Sequence, residues 1–167
     1  MTSRRLSPAT GFTLIELMVA LTVVALLAAI AIPNYSAYVQ RGKRAAAKAI
    51  LLESAGRLER NYTTNGCYGQ TTAAACQAGS GAPIVAAGTA FALAPADGRA
   101  QYRIDLTAGG AQTFTLTATP CGAAGANCPA GSESNTDAEC GALTLANTGE
   151  RGVGDGASGT LAHCWQR

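Results

Sequence analysis

Residues 12–32 read FTLIELMVALTVVALLAAIAI, a 21-residue apolar run interrupted only by Thr13, Glu16 and Thr22. Coiled as a helix, a run of this length extends about 31 Å and matches the ~30 Å hydrocarbon core of a bilayer. Pro33 closes it. A core helix of a soluble domain carries a polar stripe, and this run is apolar all round, which weakens that reading. A cleaved secretory signal is the stronger rival. Arg4 and Arg5 supply a basic leading region, and Ala29-Ile30-Ala31 fits a small-residue cleavage site. The run is nevertheless longer than a typical signal core, and it carries a carboxylate near its start. A charged side chain at mid-bilayer costs about 2.5–3.5 kcal/mol on insertion scales, so Glu16 marks a function rather than a disposable segment.

Gly11-Phe12-Thr13-Leu14-Ile15-Glu16-Leu17-Met18-Val19 resembles the type IV prepilin motif: a short basic leader ending in glycine, then phenylalanine, then glutamate at the fifth mature position. The resemblance is close over residues 1–45 and general beyond them. It implies that a membrane prepilin peptidase cuts between Gly11 and Phe12 on the cytoplasmic side and methylates the new amino terminus of Phe12. It further implies that Glu16 pairs with the amino terminus of a neighbouring subunit during assembly. Physical chemistry agrees, because an ammonium and a carboxylate in hydrocarbon favour contact only when matched.

Topology follows from the cysteines. Arg4 and Arg5 before the run are balanced by Arg41, Lys43, Arg44 and Lys48 after it, so charge counting is equivocal. All six cysteines lie beyond the run, and disulfides form on the oxidising side of a bacterial membrane. The expectation is a single-pass inner-membrane protein with a cytoplasmic N-terminus, and an extracellular pilus location after assembly.

Helical periodicity continues past Pro33. Tyr35, Tyr38, Val39, Ala46, Ala49, Ile50, Leu51, Ala55, Leu58 and Tyr62 recur at helical spacings, with Arg41, Lys43, Arg44, Lys48, Glu53, Arg57, Glu59 and Arg60 opposite. One helix therefore runs to the stop signal Thr63-Thr64-Asn65-Gly66. Pro33 lacks a backbone donor and is expected to kink it. Alternation then predicts a hairpin of Tyr102-Ile104-Leu106 and Phe114-Leu116-Ala118 around Gly109-Gly110. A third strand is expected at Leu143 and Leu145, a short fourth at 161–166, and a glycine-rich loop over 147–159.

The fold expected is α+β, a type IV pilin fold. A long N-terminal α-helix, its lower half transmembrane, packs on a small antiparallel β-sheet with a disulfide-bounded C-terminal loop. Its segments are a cleaved leader (1–11), a transmembrane and filament-core helix (12–33), an amphipathic helix half (34–66) and a globular β domain (67–167).

None of the six cysteines has C-x2-C spacing, and His163 is the single histidine, so no metal site and no cofactor is expected. Six cysteines allow fifteen pairings. Local pairing selects Cys67–Cys76, Cys121–Cys128 and Cys140–Cys164. Cys140–Cys164 is similar to the C-terminal disulfide loop of many pilins. His163 is read as a strand-end residue beside that disulfide.

Composition narrows function. Only 13% of the residues are charged, about half the usual share of roughly a quarter. With one histidine and no phosphate-binding G-x-x-x-x-G-K-[ST] loop, an enzyme is not expected. Three readings stay open. The first is a structural subunit, major or minor, of a type IV pilus serving adhesion, twitching motility or DNA uptake. The second is a DNA-binding minor pilin acting as receptor in natural transformation. The third is a type II secretion pseudopilin. The expected partners are other pilin subunits, prepilin peptidase, an inner-membrane assembly platform and, before assembly, membrane lipid. DNA is not favoured on charge. Residues 41–60 hold six basic and two acidic groups, but residues 61–167 hold four basic against seven acidic. A DNA receptor needs a basic face, because phosphate contacts supply most non-specific affinity. Arg99, Arg103 and Arg151 are the candidate DNA contacts. The C-terminal pattern of Tyr102, the strand from Phe114 to Ala118 and Cys164-Trp165 is similar to pilins of the PilE-like and DNA-uptake-receptor group.

Overall fold

A computed structural model describes residues 11–68, 91–96, 99–108 and 112–166. The chain forms two compact units that divide between Val39 and Gln40. Helix α1, Leu14–Asn65, runs through both and contains Pro33 without interruption. Near the proline, the Asn34 side-chain amide donates to the Ile30 carbonyl (3.0 Å) and the Ser36 hydroxyl to the Pro33 carbonyl (2.9 Å). At the other end Gly66 adopts φ +71°, and its N–H donates to the Tyr62 carbonyl at 2.8 Å. This left-handed residue is the helix stop expected of glycine.

In the second unit α1 buries Arg44, Ala47, Leu51, Ser54 and Leu58. Their spacing of three and four places them on one face. The face is displaced from the expected one: Ala49 is exposed, Ala46 and Ile50 are half-buried, and Arg44, expected opposite, is buried. The reason is chemical and lies elsewhere in the chain, where two carboxylates receive the Arg44 guanidinium.

Among the described residues five strands follow: β1 (Ala92–Ala94), β2 (Tyr102–Ala108), β3 (Thr115–Pro120), β4 (Leu143–Ala146) and β5 (Arg151–Val153). They form one antiparallel sheet in sequential order. Register aligns Ile104, Ala118, Leu143 and Val153 in one row and Leu106, Leu116, Leu145 and Arg151 in the next. Cross-strand partners share a sheet face, and this one packs with Ala47, Leu51 and Leu58 into a single core. Tyr68 joins that core, its ring edge-on to Phe114 with centroids 4.8 Å apart. The architecture is the expected α+β arrangement.

Two expectations fail locally. Residues 161–166 form a helix, α2 (Leu161–Gln166), and not a strand. Thr160 caps it, its hydroxyl accepting the His163 N–H (3.2 Å) and its carbonyl the Cys164 N–H (3.0 Å). His163 is therefore a helical residue. The stretch 147–159 is not all loop, because β5 lies within it, closed on β4 by a tight turn in which the Ala146 N–H donates to the Glu150 carbonyl at 2.9 Å. Strand β1 lies in an alanine-rich stretch whose three residues are too few to show alternation.

Candidate functional site

The N-terminal end places the residues expected to serve processing and assembly in a row. Gly11, Phe12 and Thr13 precede the helix and Glu16 lies in its first turn. The Thr13 hydroxyl accepts the Glu16 N–H at 3.3 Å. Thr13 thus caps the helix, and Glu16 lies at its third position, the spacing of a capping box. A carboxylate there also meets the positive end of the helix dipole. The apolar side chains beyond it are uncovered by the chain itself: Phe12 is 85% exposed, and Leu14, Leu21 and Ile30 are also open. None of the best membrane-length window of this helix is buried. Such a surface is stable only against lipid or other protein.

The second unit carries a buried ionic cluster that hydrophobic periodicity did not reveal. Arg44, 2% exposed, donates from Nε to Oδ2 of Asp137 (2.7 Å) and from Nη2 to Oδ1 (2.6 Å). The same Nη2 reaches Glu139 Oε2 at 2.7 Å. Tyr102 donates its hydroxyl to Asp137 Oδ2 at 2.6 Å, and the Cys140 N–H donates to Oδ1 at 3.1 Å. Burial alone would raise the Asp137 carboxyl, but the hydrogen bonds from Arg44 and Tyr102 outweigh it and hold the group below its ordinary range. Hydrogen bonding from Arg44, then from His163, lowers Glu139 as well. Burial and the neighbouring Asp137 push the Tyr102 hydroxyl well above its ordinary value. His163 Nε2 lies 3.3 Å from Glu139 Oε2 and 3.5 Å from Arg44 Nη1.

Cys140 borders this cluster through its N–H bond to Asp137. Cys140–Cys164 and Cys121–Cys128 are both formed, with Cα separations of 5.7 and 5.1 Å. Cys67 is disulfide-bonded too; its expected partner, Cys76, lies outside the described residues.

The three arginines considered for DNA contact are not brought together. Arg103 points from β2 to the outer sheet face, where it pairs with Asp105 at 2.8 Å. Register puts Arg151 on the inner face at the β5 edge, its guanidinium 5.1 Å from the Trp165 ring centroid. Arg99 is exposed in the loop before β2. Among the described residues no three His, Cys, Asp or Glu side chains group to hold a metal.

A prepilin-type N-terminus, a long helix with an uncovered apolar half, and an antiparallel sheet ending in a disulfide loop define a type IV pilin. In agreement, the family described as "Prokaryotic N-terminal methylation motif" matches residues 7–32. The family described as "Type IV minor pilin ComP, DNA uptake sequence receptor" matches residues 33–144, about two thirds of the chain, and the chain belongs to it. A curated relative, fimbrial protein EcpC of Eikenella corrodens, is 38% identical over 65 residues, 39% of this chain and 42% of that protein. The matched stretch thus spans less than half the length of that relative.

Proposed function

We propose that this chain is a minor pilin of a type IV pilus. Prepilin peptidase cuts between Gly11 and Phe12 and methylates Phe12. The helix from Phe12 to Pro33 holds the subunit in the inner membrane, N-terminus cytoplasmic, until the assembly platform moves it into the filament outside the cell. Glu16 then pairs with the amino terminus of a neighbour, and Pro33 bends the helix within the filament core. The carrying observation is the apolar half of α1, which is uncovered along its length.

The experiment compares Glu16→Ala and Glu16→Gln by immunoblot of membranes and of sheared filaments. Glutamine serves the third position of a capping box as glutamate does, but it carries no charge. Both variants are expected to be processed normally and to be missing from filaments. Incorporation of Glu16→Gln at the wild-type level would overturn its ionic role.

A second reading, receptor for DNA in natural transformation, is favoured by the family description. Arg44 and Asp137 are buried together as a neutral pair, so one basic and one acidic group leave the surface and the formal balance stays as the sequence has it. Mature full-length protein in detergent is expected to retard duplex DNA at ~50 mM salt and to lose most of that binding at ~200 mM. Absence of any salt-sensitive shift counts against it. The family is one of pilus subunits, which favours the filament over a secretion pseudopilus.

A further inference from the structure

Two basic residues one helical turn apart on α1 reach opposite ends of the loop closed by Cys140–Cys164. Arg44 grips Asp137 through two hydrogen bonds, and Asp137 accepts the N–H of Cys140 on its side chain (3.1 Å) and the N–H of Gly141 on its carbonyl (2.8 Å). Lys48 donates from Nζ to the carbonyl of Trp165 (3.2 Å), the residue after Cys164. Inside the loop the Gly159 N–H donates to the Glu139 carbonyl at 2.7 Å, and a Cβ on Gly159 would lie 3.1 Å from Cys164 Sγ. Both half-cystines are fully buried. The disulfide therefore lies where the helix, the 137–141 turn and α2 meet.

We propose that Arg44 and Lys48 form a clamp that sets Cys140 and Cys164 side by side, so that this disulfide is coupled to docking of α1 in a way that Cys121–Cys128 is not. The second disulfide spans only seven residues, against 24 for the first. Its loop is held by its own backbone: the Asn127 N–H donates to the Cys121 carbonyl (2.9 Å) and the Cys128 N–H to the Gly125 carbonyl (3.0 Å). The longer loop has more closure entropy to overcome and gains more from being held at both ends.

Oxidation proceeds by thiolate exchange with an external disulfide, the class of oxidant available in an oxidising compartment. The Cys140 and Cys164 sulfurs become bonded. Their two electrons and two protons pass to the oxidant, which leaves as a dithiol. Because the coupling is thermodynamic it is reciprocal: a docked helix favours the disulfide, and the disulfide favours a docked helix. In a subunit whose helix is undocked, this disulfide is therefore more easily reduced.

The experiment equilibrates full-length mature protein in detergent with ratios of oxidised to reduced dithiothreitol. Acid quench, alkylation and peptide mass spectrometry then yield the effective concentration of each disulfide separately. In Arg44→Met that of Cys140–Cys164 is expected to fall at least tenfold while that of Cys121–Cys128 stays within threefold. Lys48→Met, which leaves the Arg44–Asp137 pair in place, is expected to lower the first about threefold with the second unchanged. An unaltered Cys140–Cys164 value in both variants, or an equal fall of both disulfides in both variants, overturns the clamp.

Discussion

Arg44 and Asp137, 93 residues apart in sequence, meet as a doubly hydrogen-bonded pair at 2.6 and 2.7 Å with 2% and 1% side-chain exposure. A charged pair this deep is retained only if its geometry repays desolvation, and here each oxygen of the Asp137 carboxylate accepts two hydrogen bonds. Tyr102 and the Cys140 N–H complete Asp137, and Glu139 accepts a further hydrogen bond from Arg44 Nη2. The pair ties α1 to the C-terminal third of the chain through side chains of opposite charge rather than through apolar contact.

Breaking the pair from one side is costly. Arg44→Met strands a buried carboxylate, and the expected loss is about 3–5 kcal/mol. Replacing both residues, as Arg44→Met with Asp137→Leu, removes the stranded charge but leaves the Tyr102 hydroxyl and the Cys140 N–H without an acceptor, so only part of that loss should be recovered. Urea unfolding of the full-length proteins in detergent measures both. A double variant no more stable than the single one would show that the pair does more than satisfy itself.

How much of this was legible can be traced residue by residue. Gly66 stopped the helix where expected, because only a residue tolerant of positive φ ends a helix this way without strain. The Tyr102–Leu106 and Phe114–Ala118 alternation located the central hairpin, because a two-residue period exists only in strands. Local pairing found Cys121–Cys128 and Cys140–Cys164, the second with the support of the family resemblance. Arg44 was misplaced for a physical reason. A cation on a helix reads as solvated until its counter-charges are known, and Asp137 and Glu139 are far along the chain. The residues at 161–166 misled for a different reason: six residues carry too little period to separate helix from strand, although Thr160 was a readable N-cap. The opposed sheet faces of Arg103 and Arg151 depend on register, which single-strand patterns do not reveal.

Leu51 and Leu58 sit two turns apart on the buried face of α1, fully enclosed against the sheet. Leu51→Ala or Leu58→Ala removes three buried carbons and leaves a cavity, with an expected loss of about 2–5 kcal/mol each. Leu52, one residue from Leu51 and 52% exposed, is the control. Leu52→Ala should stay within about 0.5 kcal/mol, as surface changes do. Equal losses at Leu51 and Leu52 in thermal melts would contradict the face assignment.

Gly125 has φ +74°, and a Cβ there would lie 3.0 Å from the Ser132 carbonyl oxygen. Both effects oppose Gly125→Ala. A left-handed residue with a side chain costs about 1 kcal/mol, and a clash with backbone cannot be relieved by rotating a rotamer. The expected loss is about 1–3 kcal/mol. Gly131, also at positive φ but with nothing near its Cβ position, should lose only the conformational part on the same substitution. A Gly131→Ala loss equal to that of Gly125→Ala, in paired melts, would remove the contact with Ser132 from the account.

Acid should weaken the domain through Asp137. In the unfolded chain its carboxyl titrates near the ordinary value of about 3.9, and in the folded chain Arg44 and Tyr102 hold it lower despite burial. Between those two values the unfolded state binds more protons, so stability rises with pH there. The contribution is complete above the unfolded pKa and is lost as pH falls through the folded one. Glu139, lowered by the same guanidinium, adds a term of the same sign. Urea midpoints taken from about pH 5 down to about pH 3 should fall steeply in the wild type. In Asp137→Asn the starting stability is lower, because the neutral amide no longer matches Arg44, and the slope is shallower because one titrating group is gone. An Asp137→Asn slope identical to wild type would place the acid sensitivity elsewhere and detach it from the Arg44 pair.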